Sequence, residues 1–309
     1  MGLFFGRNEV FMTWLLLALI SAVSTSLTTI FAKIGIKDVK SNFATAYRTI
    51  IVIICCVIMC LITGNIKSFN TLTSTNWIFL ILSGIATGLS WLCYYKAIKL
   101  GNINKVAPID KSSFVLTSIL FLIFFFNDTT KGGSVLIICM LGLSIVLMLT
   151  GTILMINKNK DNETLSKAWL IYAILSAVFA SLVALFIKLG LKGCSSDLGT
   201  LIRTIIVFIF ASAIVIAKKE YRGIKEITKK SWLFLTLSGI ATGIAWLTEY
   251  YALNTDGVNP IAVNSITKLA ILITMLFSFI ILKEKFTTKS LLGLALLTSG
   301  IILIIIFSL

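Results

Sequence analysis

Long apolar segments separated by short polar breaks dominate the pattern of this chain. A helix of roughly 20 apolar residues crosses a hydrocarbon core of about 30 Å, and each segment has this length. The segments do not alternate apolar and polar residues, as the strands of a membrane barrel would. The pattern therefore predicts an all-α polytopic membrane protein with ten transmembrane helices, at 12–36, 43–63, 76–98, 104–126, 134–156, 168–190, 198–217, 231–252, 258–281 and 288–308.

The sequence also repeats itself after 155 residues. The stretch RTIIV at 48–52 returns at 203–207, and SGIATG at 83–88 returns at 238–243. Each copy contains five predicted helices, so the second copy enters the membrane from the opposite side and is inverted relative to the first. Inverted repeats are a known architecture for transporters. We predict a first repeat at 12–156, a linker at 157–167 and a second repeat at 168–308.

Composition agrees with a protein whose main partner is the lipid bilayer. Of 309 residues, 58% are hydrophobic and 13% are charged, and the mean hydropathy is +1.03. Such a chain has too little polar surface to cover a water-soluble globule. It has no histidine, its six cysteines lack metal-ligand spacing, and no nucleophile motif is present. We expect no enzyme activity, no cofactor and no metal.

The loop charges predict an orientation in the cell membrane. Arg7, Lys67, Lys131 and Lys192 would lie on one side, and seventeen lysines and arginines would lie in the short loops on the other. The more basic side is expected to be cytoplasmic, which places both termini outside. The net charge of +15 is then explained by lysines facing anionic lipid, so we expect no nucleic-acid partner.

Several short motifs, three of them present in both repeats, resemble those of a known family. They are Lys33 and Lys188, Arg48 and Arg203, the SGIATG stretches with Trp91 and Trp246, VAPIDK at 106–111, and LKEK at 282–285 followed by Gly293 and Gly300. In this order they resemble the drug/metabolite transporter superfamily and, within it, the EamA-like transporters. The resemblance implies a ten-helix bundle of inverted halves, a central cavity lined by the third and fourth helices, and alternating access. It also implies cytoplasmic termini, in conflict with the loop charges.

Six basic residues of the predicted helices lie outside both sets of loop charges, where a charge costs a few kcal/mol and normally faces a bundle interior. Four of them, Lys33, Arg48, Lys188 and Arg203, are within two turns of a helix end. Their long side chains can extend to the headgroups, so we interpret them as structural. Lys268 lies about ten residues into its segment, or ~15 Å at 1.5 Å per residue, near the midplane. It is a candidate for substrate or ion contact.

Two carboxylates, Asp110 and Glu249, also fall within predicted helices. Asp110 and Lys111 follow Pro108, which removes a backbone donor and disturbs the helix where it would line a cavity. A carboxylate away from water becomes a proton carrier near neutral pH unless a cation stabilises its charge. A proton or another coupling ion, and a static ion pair, are both open interpretations for these acids.

Aromatic residues on the third helix of each repeat are candidates for the wall of a cavity. Trp91 is followed four residues later by Tyr95, and Trp246 by Tyr250. Residues at this spacing share a helix face. They would either line a cavity for amphipathic solutes or form an interfacial belt.

Together these patterns indicate a secondary transporter of a small polar or amphipathic metabolite, such as an amino acid. Asp110, Lys111, Lys268 and Glu249 are its candidate polar contacts. The competing interpretation is a passive pore or a non-transporting membrane scaffold. Substrate identity, direction and a homodimeric state are not determined by the sequence.

Overall fold

The computed structural model describes residues 2–36, 39–100, 109–110, 113–130, 133–154, 168–222, 224, 227–280 and 287–308. Within these ranges the chain forms helices and turns, and no strand. The helices of the first repeat are α1 (Gly2–Gly35), α2 (Ser41–Thr63), α3 (Ser74–Leu100), α4 (Ser113–Phe124), α5 (Phe126–Thr130) and α6 (Val135–Leu154), with a 3₁₀ helix at Asn65–Thr71.

The second repeat has a corresponding series of helices. They are α7 (Ala168–Gly190), α8 (Ser196–Ala217), α9 (Lys229–Asn254), α10 (Pro260–Thr267), α11 (Leu269–Ile280) and α12 (Thr288–Ser308). In the described part of the chain, seven helices are long and apolar enough to cross a membrane, and shorter apolar helices occupy the other three predicted segments. The predicted fold class, an all-α polytopic membrane protein, is confirmed.

The ninth predicted segment, 258–281, differs from the single helix that its sequence suggests. A turn at Lys268 divides it into α10 and α11. Pro260 opens α10, a position where the missing backbone N–H has no helical partner to lose. The side-chain oxygen of Asn259 accepts the backbone N–H of Ile261 at 2.9 Å, so this start is well defined.

The helices form two compact units, and each unit takes helices from both repeats. The first unit comprises Met1–Ile85, Phe186–Asp256 and Thr267–Ile281, and therefore contains α1, α2, α8, α9 and α11. The second comprises Ala86–Leu185, Gly257–Ile266 and Leu282–Leu309, and contains α4, α5, α6, α10 and α12. The repeats of the sequence are thus interleaved in space.

In the first unit, α2 and α8 pack together and run in opposite directions. The side-chain amide of Asn42, at the start of α2, donates to Oε1 of Glu220, just beyond α8, at 2.7 Å. At the other end, Asn65, just beyond α2, donates from Nδ2 to the carboxylate of Asp197, at the start of α8, at 3.0 Å. α2 is the second helix of the first repeat and α8 is the second helix of the second repeat. Their antiparallel arrangement therefore agrees with the predicted inversion.

In the second unit, α6 and α12 are also antiparallel, and glycines lie where the two helices touch. A Cβ on Gly151, near the end of α6, would lie 2.5 Å from the carbonyl oxygen of Gly293, near the start of α12. A Cβ on Gly300 would lie 2.8 Å from the carbonyl oxygen of Ser144. The final helices of the two repeats are therefore also antiparallel and in close contact.

The SGIATG stretches pack the third helix of each repeat against the second helix of the other. A Cβ on Gly84 of α3 would lie 2.6 Å from Ile206 of α8. A Cβ on Gly239 of α9 would lie 2.6 Å from Ile51 of α2. Small residues permit such close approach between membrane helices, which is the packing role that the sequence predicts.

We expect Gly239→Ala to lower the stability of the protein, because its new methyl group would overlap Ile51. Overpacking of this kind costs about 1–3 kcal/mol. Gly142 of α6 is the matched control, since nothing lies within 4 Å of a Cβ there. Gly142→Ala should be neutral or stabilising by up to about 1 kcal/mol, because alanine is the better helix former. Thermal unfolding of the two purified variants measures the difference, and equal melting temperatures would contradict the packing argument.

Candidate functional site

One face of α9 carries the polar and aromatic side chains of the candidate site. Thr242, Trp246, Glu249 and Tyr250 are spaced by three or four residues, so they lie along the same side of the helix. Thr242 and Tyr250 are buried. The partners of this face come from α1, α2, α8 and the turn before α11, all within the first unit.

Arg203 of α8 lies against the aromatic part of this face. Its guanidinium carbon is 4.5 Å from the centroid of the Trp246 ring and 5.6 Å from that of Tyr250. Only 3% of the surface of Arg203 is exposed. A cation over an aromatic ring is attracted by the ring quadrupole, by about 2 kcal/mol or more when the pair is desolvated. The aromatic rings therefore stabilise a buried positive charge.

Glu249 lies within the electrostatic influence of two cations. Burial has the largest effect on its carboxylate, followed by the charge of Lys268 and then that of Arg203. Lys268 occupies the turn between α10 and α11. The first unit therefore contains Arg203, Glu249 and Lys268 in one region, with Trp246 and Tyr250 beside Arg203.

A second arginine binds the same helix about one turn before Trp246. Nη2 of Arg48, on α2, donates to Oγ1 of Thr242 at 3.0 Å. The Thr242 hydroxyl donates to the carbonyl oxygen of Ser238 at 2.7 Å, and the Thr28 hydroxyl of α1 lies 3.2 Å from it. Since its one proton is already donated, Thr242 accepts from both Arg48 and Thr28. This network connects α1, α2 and α9.

The two arginines, for which the sequence predicts a structural role, both contact side chains of α9. Arg203 is buried beside Trp246, and Arg48 donates to Thr242 of α9. Lys188 donates from its ammonium group to the carbonyl oxygen of Leu253. The side chain of Lys33 lies outside the described part of the chain.

Asp110 lies in the second unit and has a hydroxyl partner. Oγ of Ser176, on α7, is 2.7 Å from Oδ1 of Asp110. Ser90 of α3 joins the same group, because its hydroxyl lies 3.2 Å from the carbonyl oxygen of Ser176. Next to Asp110 an apolar cavity of about 270 Å³ is lined by Ile109, Val115, Leu116, Leu149, Ile174 and Ala177.

The candidate residues of the sequence are thus divided between two places. Glu249, Lys268, Trp246 and Tyr250 meet in the first unit, together with Arg203. Asp110 lies in the second unit, as does Trp91, which is half-buried. Lys111 and Pro108, and the side chain of Tyr95, lie outside the described residues. No group of histidine, cysteine, aspartate and glutamate residues that could hold a metal ion occurs in the described ranges.

Asp197 is a buried carboxylate that the sequence pattern missed. Its side chain has no exposed surface and accepts hydrogen bonds from Thr63, Asn65 and the backbone N–H of Leu198. The predicted helix begins at 198, one residue after it, whereas α8 begins at Ser196. The repeat offers a signal, because Asp197 aligns with Asn42, another polar residue at the start of an apolar segment.

These features define a multi-pass membrane protein built from two inverted repeats. The chain belongs to the EamA-like transporter family, whose sequence profile matches residues 12–150 and again 167–306. It is 38% identical over 143 residues to an "Uncharacterized transporter in cobO 3'region" of Sinorhizobium sp, a match that covers 46% of this chain and 100% of that protein.

A solved structure described as "Crystal structure of protein" has the same fold. Its TM-score is 0.72, and the match covers 96% of this chain and 98% of the other. The sequence identity is 13%, so the similarity concerns the fold alone.

Substitution of Trp246 should test the contact with Arg203. We expect Trp246→Leu to lower the free energy of unfolding by about 2 kcal/mol, and Trp246→Phe to lower it less, because phenylalanine keeps an aromatic face. Thermal unfolding of the purified variants gives the order. Trp91 is the equivalent residue of the first repeat, and the cation–π contacts found among the described residues do not include it, so phenylalanine and leucine should have similar effects there. Equal stability of the two Trp246 variants would refute the stabilising contact.

Proposed function

We propose that this protein is a secondary transporter that moves a small polar or amphipathic metabolite, such as an amino acid or related compound, by alternating access. The antiparallel pairing of α2 with α8 and of α6 with α12 carries this proposal. Two inverted repeats can exchange their conformations. Because the repeats face opposite sides of the membrane, this exchange converts an outward-facing state into an inward-facing one.

The polar cluster on α9 supports a binding role. Charges within a membrane protein are costly and usually mark a pathway for a substrate or an ion. Arg203, Glu249 and Lys268 supply charges of both signs, and Trp246 and Tyr250 supply apolar surface beside them. This combination suits a solute that is partly polar and partly apolar.

A coupling proton would be carried by Asp110 or Glu249, since the chain has no histidine. The Ser176 hydroxyl beside Asp110 can donate to a carboxylate or accept from a carboxylic acid, so it serves both protonation states. Glu249 lies near Lys268 and Arg203, so a static ion pair is the alternative for this residue. Both acids are therefore candidates for the proton carrier.

We expect Asp110→Asn and Lys268→Gln each to reduce transport by about 10-fold or more, which corresponds to ~1.4 kcal/mol. Counterflow of labelled metabolites in proteoliposomes is the measurement, because a carrier shows it whereas a pore or a scaffold does not. The exposed residues Asp256 and Lys192 provide matched controls, as Asp256→Asn and Lys192→Gln. Full transport by both site variants, with normal elution and melting, would remove the site assignment.

Labelling of introduced cysteines should show the proposed inversion and orientation. In a background without the six native cysteines, a membrane-impermeant maleimide should label Asn8→Cys in intact cells. Lys160→Cys, in the linker, should react only after lysis, because the basic loops are expected in the cytoplasm. Labelling of both positions from the same side would contradict the inverted repeats. The reverse pattern would preserve the inversion and place both termini inside.

A further inference from the structure

We infer that Ser21 of α1 is a further binding residue, whose hydroxyl donates a hydrogen bond to a carbonyl or carboxylate oxygen of the transported solute. This inference deepens the proposed transporter function and rests on it. Three observations carry it: the burial of a hydroxyl that has no partner, its position opposite the candidate site on α9, and the contacts of the equivalent serine in the second repeat.

The Ser21 hydroxyl is buried and makes no hydrogen bond. No part of the residue is exposed, and its side-chain oxygen has no hydrogen-bond partner. A serine inside a helix can bond to a carbonyl oxygen three or four residues earlier, as Ser181 and Ser144 do at 2.7 Å each. Ser21 does not. A buried hydroxyl without a partner is costly, so a ligand that accepts its proton would gain a hydrogen bond.

Ser21 also lies at the depth expected for a substrate site. The apolar span of α1 is Met12–Ala32, and Ser21 is close to its centre. Substrate sites of secondary transporters built from inverted repeats lie near the bilayer midplane. The depth therefore agrees with a binding role.

Two contacts fix how α1 and α9 lie against each other. The side-chain oxygens of Thr28 and Thr242 are 3.2 Å apart, and the ring centroids of Phe31 and Phe234 are 6.1 Å apart. Residue numbers rise along α1 as they fall along α9, so the two helices are antiparallel.

This register places Ser21 opposite the candidate site. Seven residues make about two helical turns and return to nearly the same helix face. Ser21 precedes Thr28 by seven residues, and Glu249 follows Thr242 by seven residues. Ser21 and Glu249 therefore lie at the same level on the facing sides of α1 and α9. The Ser21 hydroxyl adds a hydrogen-bond donor to the polar and aromatic face of α9.

The equivalent serine of the second repeat shows which chemistry suits this position. Ser176 follows Ser21 by the repeat interval of 155 residues. Its hydroxyl lies 2.7 Å from Oδ1 of Asp110 and 3.1 Å from the backbone carbonyl oxygen of Ser90. Both oxygens belong to carbonyl or carboxyl groups. A serine at this position of the repeat is thus directed at such an oxygen.

The corresponding residues give Ser21 no such contact. Ser90 aligns with Ala245, and Asp110 aligns with Thr267. The hydroxyl of Ser21 bonds neither the backbone of Ala245 nor the side chain of Thr267, because it has no partner. A carbonyl or carboxylate oxygen of the solute would take the place that the Asp110 side chain occupies beside Ser176.

The substitution Ser21→Ala separates a binding role from a packing role. It removes a buried hydroxyl without a partner, so the protein without ligand should melt at the wild-type temperature or above it. Solute binding should become about 10-fold weaker, as expected for the loss of one hydrogen bond. Ser144→Ala removes a buried hydroxyl that is bonded within its own helix, and should leave binding unchanged.

Two series of probes test which group the hydroxyl binds, on the purified full-length protein. Phenylalanine, phenylalaninamide and phenethylamine form one series, and leucine, leucinamide and isoamylamine form the other. The members of a series carry a carboxylate, an amide carbonyl or neither. A ligand that binds the native state raises the melting temperature. We expect the acids or the amides to raise it more than the simple amines, and Ser21→Ala to remove this difference. A preference for acid or amide identifies the acceptor.

Several results would overturn the inference. They are equal shifts for all members of both series, no shift with any acid or amide, unchanged binding in Ser21→Ala, and an equal loss for the simple amines in that variant. A lower melting temperature of Ser21→Ala without ligand would also overturn it, because the hydroxyl would then stabilise the fold.

Counterflow of the same acids and amides in proteoliposomes separates this inference from the proposed function. Binding that depends on Ser21 without any flux would refute transport and keep the binding residue. Flux with the same KM in wild type and Ser21→Ala would refute the binding residue and keep transport.

Discussion

The antiparallel packing of α2 against α8 is the constraint on which the first unit depends. Its two ends are held by amide and carboxylate groups, at Asn42 with Glu220 and at Asp197 with Asn65. Between these ends, glycines bring the third helix of each repeat against the pair. The close approach of Gly239 to α2 occurs next to the backbone of Arg48. For this reason the arginine side chain reaches Thr242, one turn further along α9.

The same packing decides how the buried charges are accommodated. Lipid offers no water to an arginine, so its charge requires a substitute within the protein. Arg48 donates to the hydroxyl of Thr242. Arg203 packs on aromatic rings and lies near the carboxyl group of Glu249. The two arginines occupy equivalent positions of the two repeats, yet their surroundings differ. The duplicated scaffold is therefore conserved in its packing and specialised in its polar contacts.

Much of the fold could be predicted from the sequence, because apolar segment length and an internal repeat are direct consequences of crossing a bilayer. Local detail could not. The turn at Lys268 interrupts a segment whose apolar pattern is continuous. The burial of Arg203 was missed because distance from a helix end gives depth in the membrane and not the direction of a side chain. Asp197 was missed because a helix boundary is uncertain by a few residues. Of the candidate site, Glu249, Lys268, Trp246 and Tyr250 meet as a group, whereas Asp110 lies in the other unit.

At each end of the α2–α8 pair an asparagine of the first repeat binds a carboxylate of the second repeat. Asn42 aligns with Asp197 in the repeat, and Asn65 aligns with Glu220. A chain with a single repeat could form this helix pair only by association of two oppositely oriented copies, and every substitution would then alter both ends at once. Fusion of the copies in one gene makes the ends genetically independent. The hydrogen bonds at one end can therefore become stronger or weaker during evolution without any change at the other end.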